Sequence, residues 1–294
     1  MQILITGGTG FIGKPLCEEL LRAGHQLIVL TRQSLADTPD CRYIAGLDAI
    51  DAAERVDAVI NLAGASLAER RWTPAYKREI LASRLDTTRA VLQLIQRLEH
   101  KPQVLLSASA IGYYGHHGDE ELDEAGSTTP GFAQDLCLQW EQLALTAREL
   151  GVRVCLLRLG VVLDSGGGAF VQMARPFSFG VANWLGSGSQ WLSWVHRRDV
   201  VRAIQFLLQE AEMAGPFNIT APQAVTSRGF SDAMKRHKRT LLSAPVPAPM
   251  LRLMVGEMAQ ELLLNGQRVV PAALQRAGFS FEFPDLDAAL ADIL

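Results

Sequence analysis

The stretch that decides the fold is Gln2-Ile3-Leu4-Ile5-Thr6-Gly7-Gly8-Thr9-Gly10-Phe11-Ile12-Gly13, an apolar run that breaks into glycines. Gly7, Gly10 and Gly13 fit G-x-x-G-x-x-G, and Gly8, Gly10 and Gly13 fit G-x-G-x-x-G. Residues 2–6 read as a strand, and 13–23 as a helix that stops at Gly24. That context gives each glycine a task. The first permits a turn that a Cβ would obstruct. The middle one lets the backbone touch a pyrophosphate, and the third lets the helix pack close to the strand. The helix N-terminus offers unpaired N–H groups to the phosphates. Gly7, Gly10, Phe11, Ile12 and Gly13 are therefore candidate dinucleotide-binding residues.

Outward from the loop, strand and helix alternate. Gln26–Arg32 is a second strand, and residues 33–47 read as irregular around Pro39. A short helix is expected over 48–55, then an apolar strand over Val56–Ala63. Thr73 and Pro74 open a long helix as N-cap and first residue, running toward residue 99. A strand lies within Pro102–Ser109, and Thr129-Pro130 is expected to open a second long helix ending at Leu150-Gly151. Val152–Leu159 is again a strand. These runs are near-continuous rather than alternating, as in strands buried on both faces of a helix-flanked parallel sheet. The predicted fold is α/β: a doubly wound Rossmann sheet with helices on both faces and a smaller C-terminal α/β cap.

The texture changes beyond residue 163. Asp164-Ser165-Gly166-Gly167-Gly168 reads as a flexible break, and Gly215–Thr220 as a strand. A Pro-rich linker is expected at 245–249, and helices at 250–264 and 271–277. The expected division is a dinucleotide-binding domain over 1–163, to which 190–220 returns, and a substrate or cap domain made of 164–189 and 221–294.

The end of the second strand narrows the ligand. A site for NAD places Asp or Glu there to accept from the ribose hydroxyls. Here the chain reads Leu30-Thr31-Arg32-Gln33-Ser34, with no carboxylate before Asp37. Arg32 can pair with a 2′-phosphate that no acid repels. NADP is the expected cofactor, with Thr31 and Arg32 at its adenosine end. A net charge of −3 leaves no basic field for nucleic acid. No apolar stretch suits a membrane span, and no signal segment precedes the first strand. Cys17, Cys41, Cys137 and Cys155 show no metal spacing, so no metal is expected and reduced cytoplasmic thiols are.

At this point the chain resembles a known family. Ile5 to Gly13 resembles the opening of extended short-chain dehydrogenases/reductases, and Asn61-Leu62-Ala63-Gly64 their cofactor-lining motif after the fourth strand. Ser107-Ala108-Ser109-Ala110-Ile111-Gly112-Tyr113-Tyr114-Gly115 resembles their serine strand and Tyr-Gly turn. Trp194 to Val200 resembles the segment that ties the small domain to the sheet. Leu136-Cys137 with Trp140-Glu141, Arg158 to Leu163, and Leu263 to Pro271 are similar to the atypical "epimerase family" subgroup, of the YfcH type. The resemblance spans essentially the whole chain. It implies cofactor contacts at Leu62, Ala63, Gly64 and Ser107, and oxidoreductase or epimerase-like chemistry on a small carbonyl or sugar-derived substrate. It implies a homodimer through the helices near 74–99 and 130–150. It also permits a non-catalytic NADP-sensing or scaffold role, for example in cell division.

The family's usual proton relay is Tyr-x-x-x-Lys: the tyrosine moves a proton at the substrate oxygen, and the lysine lowers its pKa and binds the nicotinamide ribose. Four positions after Tyr43, Tyr76, Tyr113 and Tyr114 stand Leu47, Ile80, His117 and Gly118. Counting back from Glu141, the relay positions fall on Ala133 and Cys137. The standard relay is absent. Ser109 matches the family's catalytic serine, and Tyr113 or, preferably, Tyr114 is the candidate replacement acid; strand-end and packing roles compete with both. His116 and His117 read as exposed loop histidines, and Asp119 to Glu124 as a solvated acidic loop rather than a metal site. Trp72 and Lys77 either line the substrate entrance or simply open a helix. Trp184, Trp191 and Trp194 form either an apolar substrate wall or the cap core.

Overall fold

A computed structural model describes residues 1–294. In chain order the first half runs β1 (Gln2–Thr6), α1 (Gly13–Arg22), β2 (Gln26–Leu30), β3 (Cys41–Ile44), β4 (Ala58–Asn61), α2 (Pro74–Arg97), β5 (Val104–Ala110), β6 (Glu121–Leu122), α3 (Phe132–Leu145) and β7 (Arg153–Leu159). The second half runs β8 (Val161–Leu163), α4 (Gly168–Ser178), β9 (Val181–Leu185), β10 (Trp191–Leu192), β11 (Trp194–His196), α5 (Arg197–Gln209) and β12 (Gly215–Ile219). It closes with β13 (Val225–Thr226), α6 (Ser227–His237), β14 (Leu242–Val246), α7 (Ala248–Val255), the π-helical turn Ala259–Leu264, β15 (Arg268–Val269), α8 (Ala272–Arg276) and α9 (Leu286–Ile293).

The central sheet has seven strands in the order β12-β7-β5-β4-β1-β2-β3, every neighbouring pair parallel. Its apolar runs are continuous because successive residues serve opposite layers. Ile3, Ile5, Leu27, Val29, Ile60 and Leu106 join one core with Leu16 and Leu20 of α1 and Ile204 and Leu207 of α5. Leu4, Ile28, Val59 and Leu105 join another with Val91, Leu94 and Ile95 of α2. Burying each such side chain stabilises the fold by about 1.5–3 kcal/mol. A third core, around Trp194, Phe170, Phe230, Met234 and Leu290, belongs to α4, α6 and α9 of the cap. No helix is long and apolar enough to cross a membrane.

The helix signals act as their chemistry requires. The Thr73 hydroxyl accepts from the Tyr76 N–H at 3.1 Å and Pro74 follows it, so α2 starts there. Gly151, left-handed at φ 77°, ends the turn that extends α3.

Several expectations need correction. Cys41–Ile44 is a sheet edge strand inside the stretch read as irregular. The helix expected over 48–55 is a single 3-10 turn, Leu47–Ala49. Helix α3 begins at Phe132 because the Thr129 hydroxyl instead accepts from the His116 N–H, closing the turn at Gly115. The supposed linker at 245–249 is the end of β14 and the start of α7. Pro245 is tolerated because β14 pairs only with β9. The helix expected over 250–264 is interrupted at Gly256, φ 68°, and α9 has no counterpart in the sequence reading. The chain after 221 does not stay in the cap: Leu274 and Phe279 return to the core beneath the sheet.

Candidate functional site

The glycine loop lies at the carboxyl end of β1, in the middle of the sheet. Gly7 has φ 72°, and a Cβ there would stand 2.9 Å from the Leu62 carbonyl carbon. A Cβ on Gly13 would overlap the Gly7 carbonyl oxygen. The loop closes with the Gly10 N–H donating to Gly7 O at 3.0 Å. No side chain caps α1 and its first turn carries no acid. Its leading N–H groups and positive dipole end are therefore left for an anion. Phe11 is held from the far side. Its ring packs against Gly167 and Gly168, and the Arg197 guanidinium, paired with Asp164 at 2.9 Å, sits 5.0 Å above it. Asp164–Gly168 is thus an ordered strap across the loop, not a loose break.

A buried relay fixes the neighbouring Leu62-Ala63-Gly64 turn. The Thr6 hydroxyl donates to Asn61 Oδ1 at 2.6 Å and accepts from the Ala63 N–H at 3.2 Å. Asn61 Nδ2 and Trp140 Nε1 both donate to the Thr88 hydroxyl. At the end of β2, Thr31 Oγ1 lies 3.3 Å from Thr9 Oγ1 and accepts from the Gln33 N–H. Arg32 beside it is exposed and makes no ion pair. Asp37 accepts from the Tyr43 N–H at 2.7 Å, so this acid is tied to the edge strand. The cradle, the uncapped helix and a free guanidinium with no competing carboxylate fit a dinucleotide bearing a 2′-phosphate. Ser107 does not share that surface: it is fully buried in β5 and its hydroxyl has no partner.

The two hydroxyls proposed from sequence for catalysis are also buried, in one network. Ser109 Oγ donates to Glu141 Oε1 at 2.7 Å. Arg158 grips the same carboxylate in bidentate fashion, at 2.8 and 2.9 Å. Arg158 Nη1 reaches the Tyr114 hydroxyl and the Glu124 carbonyl, and the Tyr114 hydroxyl donates to Asn218 Oδ1 at 2.7 Å. Burial pushes the Tyr114 phenol up to about 12, with Arg158 and Asn218 opposing. Burial also works against the Arg158 charge, but the Glu141 carboxylate holds the guanidinium above its ordinary value. With Ser109 1% and Tyr114 0% exposed, neither hydroxyl meets an open surface. They tie β5 to α3, β7 and β12 instead. Tyr113 differs: it is half-buried, its hydroxyl bonds to no protein group, and the Arg158 guanidinium carbon lies 3.5 Å from its ring centroid.

The vacant relay positions are filled by packing. A Cβ on Gly112 would stand 3.2 Å from Ala133 Cβ and 3.7 Å from Cys137 Sγ, so the Ile111–Tyr114 turn seats directly on α3. Burial, then the Glu141 charge, pushes the Cys137 thiol up to about 11, leaving an inert thiol.

Other singled-out residues separate. Glu124 is no solvated acid: its carboxylate accepts from the N–H groups of Asn218 and Ala273, both at 3.0 Å. His117 is not exposed either. Its side chain is 5% accessible and lies between Glu120 and the Tyr114 carbonyl. Trp194 belongs to the cap core, whereas Trp184 and Trp191 stack with Arg228 and Arg268. Trp72 is buried, and Lys77 pairs with Glu257 of the cap at 2.6 Å. From the sequence, Glu141 and Arg158 serve only as marks of the resemblance, and none of Glu141, Arg158 and Asn218 was given a site role there. The signal for Arg158 was its charge near the end of the VRVCLLRL strand, where burial demands a partner.

Residues 3–220 match the family described as NAD dependent epimerase/dehydratase, and residues 246–293 match a domain of unknown function, DUF1731. Epimerase family protein SSP1921 of Staphylococcus saprophyticus is 38% identical over 295 residues, covering 99% of this chain and 98% of its own. Epimerase family protein Mb2239 of Mycobacterium bovis is 37% identical over 290 residues, 98% of this chain and 96% of its own. The crystal structure of human epimerase family protein SDR39U1 (isoform 2) with NADPH matches at a TM-score of 0.87 and 30% identity, covering 100% of this chain and 99% of that one.

Proposed function

Because the chain belongs to the NAD dependent epimerase/dehydratase family, we propose that it binds NADP(H) and acts as an oxidoreductase or epimerase-like enzyme on a small carbonyl or sugar-derived substrate. Gly10 and the first N–H groups of α1, at Phe11, Ile12 and Gly13, hold the pyrophosphate. Thr31 and Arg32 hold the 2′-phosphate, and Leu62, Ala63 and Gly64, after β4 on the other side of the pyrophosphate loop, form the wall toward the nicotinamide half. The human relative solved with NADPH supports this choice of dinucleotide. When bound, the dinucleotide supplies or accepts hydride at nicotinamide C4.

The observation that carries the catalytic reading is Tyr113. It stands on the turn after β5, at the carboxyl edge where ligands of such sheets lie, with an uncommitted hydroxyl and a guanidinium against its ring. Its uncommitted hydroxyl can donate to or accept from a substrate oxygen there, and the guanidinium holds the ring in place. Ser109 and Tyr114 position Arg158 rather than touch substrate. The test is NADPH oxidation against a panel of small carbonyls and sugar nucleotides. Tyr113→Phe should lose about 10²–10⁴-fold in rate with NADPH affinity unchanged. A wild-type protein that binds NADPH yet turns over no member of the panel would count against catalysis.

One observation favours a second reading, an NADP(H)-gated binding protein: the relay positions Ala133 and Cys137 are sealed against Gly112. It requires partner capture that changes with NADPH. Identical partners with and without the dinucleotide sink it.

A further inference from the structure

Arg84 is a buried charge without an anion. It stands in the middle of α2 and is 9% exposed. Its hydrogen bond is from Nη1 to the Ile80 carbonyl one turn earlier, at 3.1 Å. Glu141, the buried acid on the facing helix, is already taken by Arg158 and Ser109. Burial pulls the Arg84 guanidinium below its ordinary pKa, and the groups that oppose this are the weak acids Cys137 and Tyr76, not a carboxylate. Its remaining N–H donors have no protein partner and are not sealed off, so they can complete their hydrogen bonds to a bound ligand.

The location of Arg84 says which ligand that is. A Cβ built on Gly64 would stand 3.0 Å from Arg84 Cζ and 3.2 Å from Nη2, so the guanidinium packs directly against this glycine, with the Trp140 ring centroid 5.2 Å from Cζ. Gly64 follows β4. In the sheet order, β2 carries the adenosine end at Arg32, β1 carries the pyrophosphate loop, and β4 and β5 come next on the far side. A dinucleotide that starts over β2 and crosses β1 reaches Gly64 with its nicotinamide half.

We propose that Arg84 holds the nicotinamide ribose of the bound dinucleotide, donating to its hydroxyls with the N–H groups not spent on Ile80. This rests on the NADP(H) reading above. The test is calorimetric titration of the full-length protein with NADPH and, separately, with adenosine 2′,5′-bisphosphate, which lacks the nicotinamide ribose. Arg84→Gln should weaken NADPH about tenfold or more, the loss of a charge-assisted hydrogen bond, and leave the bisphosphate within about twofold. Arg84→Lys keeps the charge but loses the planar fork. It should fall between the two and serves as the test should Arg84→Gln fail to fold. Unchanged NADPH affinity, or equal losses for both ligands, overturns the proposal while leaving the dinucleotide site standing. A wild-type protein that binds neither ligand overturns both.

Discussion

Replacing Glu141 by Gln removes the charge that the buried Arg158 faces. The two side chains are 5% and 4% exposed, and the pair is bidentate at 2.8 and 2.9 Å. The amide keeps an acceptor for Ser109 but turns an N–H toward an Arg158 donor. Breaking one partner of a buried pair costs about 3–5 kcal/mol because the other charge stays uncompensated. Arg158 retains the Tyr114 hydroxyl, the Glu124 carbonyl and the Tyr113 ring, which places the loss near the lower end, about 3 kcal/mol. At about 2–4 °C per kcal/mol, the melting temperature should fall by roughly 6–12 °C. Urea unfolding of E141Q, E141L, R158M and the E141L/R158M double variant measures it, the last three closing a cycle with wild type. The apolar double variant should be more stable than either single variant, with a coupling of at least about 2 kcal/mol. Single variants within about 0.5 kcal/mol of wild type, or additive losses, would refute the claim that this pair is the buried tie between α3 and β7.

Gly13→Ala should abolish measurable NADPH binding, because its methyl would overlap the Gly7 carbonyl oxygen and force the loop open; fluorescence titration checks this. Tyr114→Phe removes a donor to Asn218 and an acceptor from Arg158 in a buried network, and should cost about 1–3 kcal/mol in urea unfolding. The Asp57 carboxyl has a burial penalty, but the Gln2 N–H and the Arg55 guanidinium outweigh it and hold the pKa below the ordinary value. A depressed folded pKa gives stability that is present above the unfolded value of about 3.9 and is lost as pH falls through the folded one. Asp57→Asn should therefore flatten the acid limb of melting temperature against pH.

The fold was legible because its signals are local and repeat along the chain. Ile3 to Ile5 sit in both faces of the sheet, so every residue of the run is apolar, and Gly7 and Gly13 occupy places where a side chain has no room. Thr73-Pro74 marks a helix start by its own hydrogen bonding. The edge strand Cys41–Ile44 was not legible, since an edge needs only one covered side and its sequence is correspondingly mixed. The irregular C-terminal helices depend on contacts with distant segments, such as Glu257 with Lys77 of α2. At the site, the glycine loop was legible from its spacing together with the strand before it and the helix after it. The roles of Ser109 and Tyr114 could not, because they are set by Glu141, Arg158 and Asn218, which lie 32 or more positions away for one contact and 104 for another. Arg84 was hidden for a similar reason: in the sequence of α2 it looks like any exposed helix arginine, and only the meeting of α2, α3 and the Gly64 turn buries it.

The dinucleotide site is tested most directly by calorimetric titration of the wild-type protein and Arg32→Gln with NADPH and NADH. A free guanidinium at the end of β2, with Asp37 tied to Tyr43, predicts that wild type binds NADPH at least about tenfold more tightly than NADH and that Arg32→Gln erases the difference. Equal affinity of wild type for the two, or no binding of either, would contradict it.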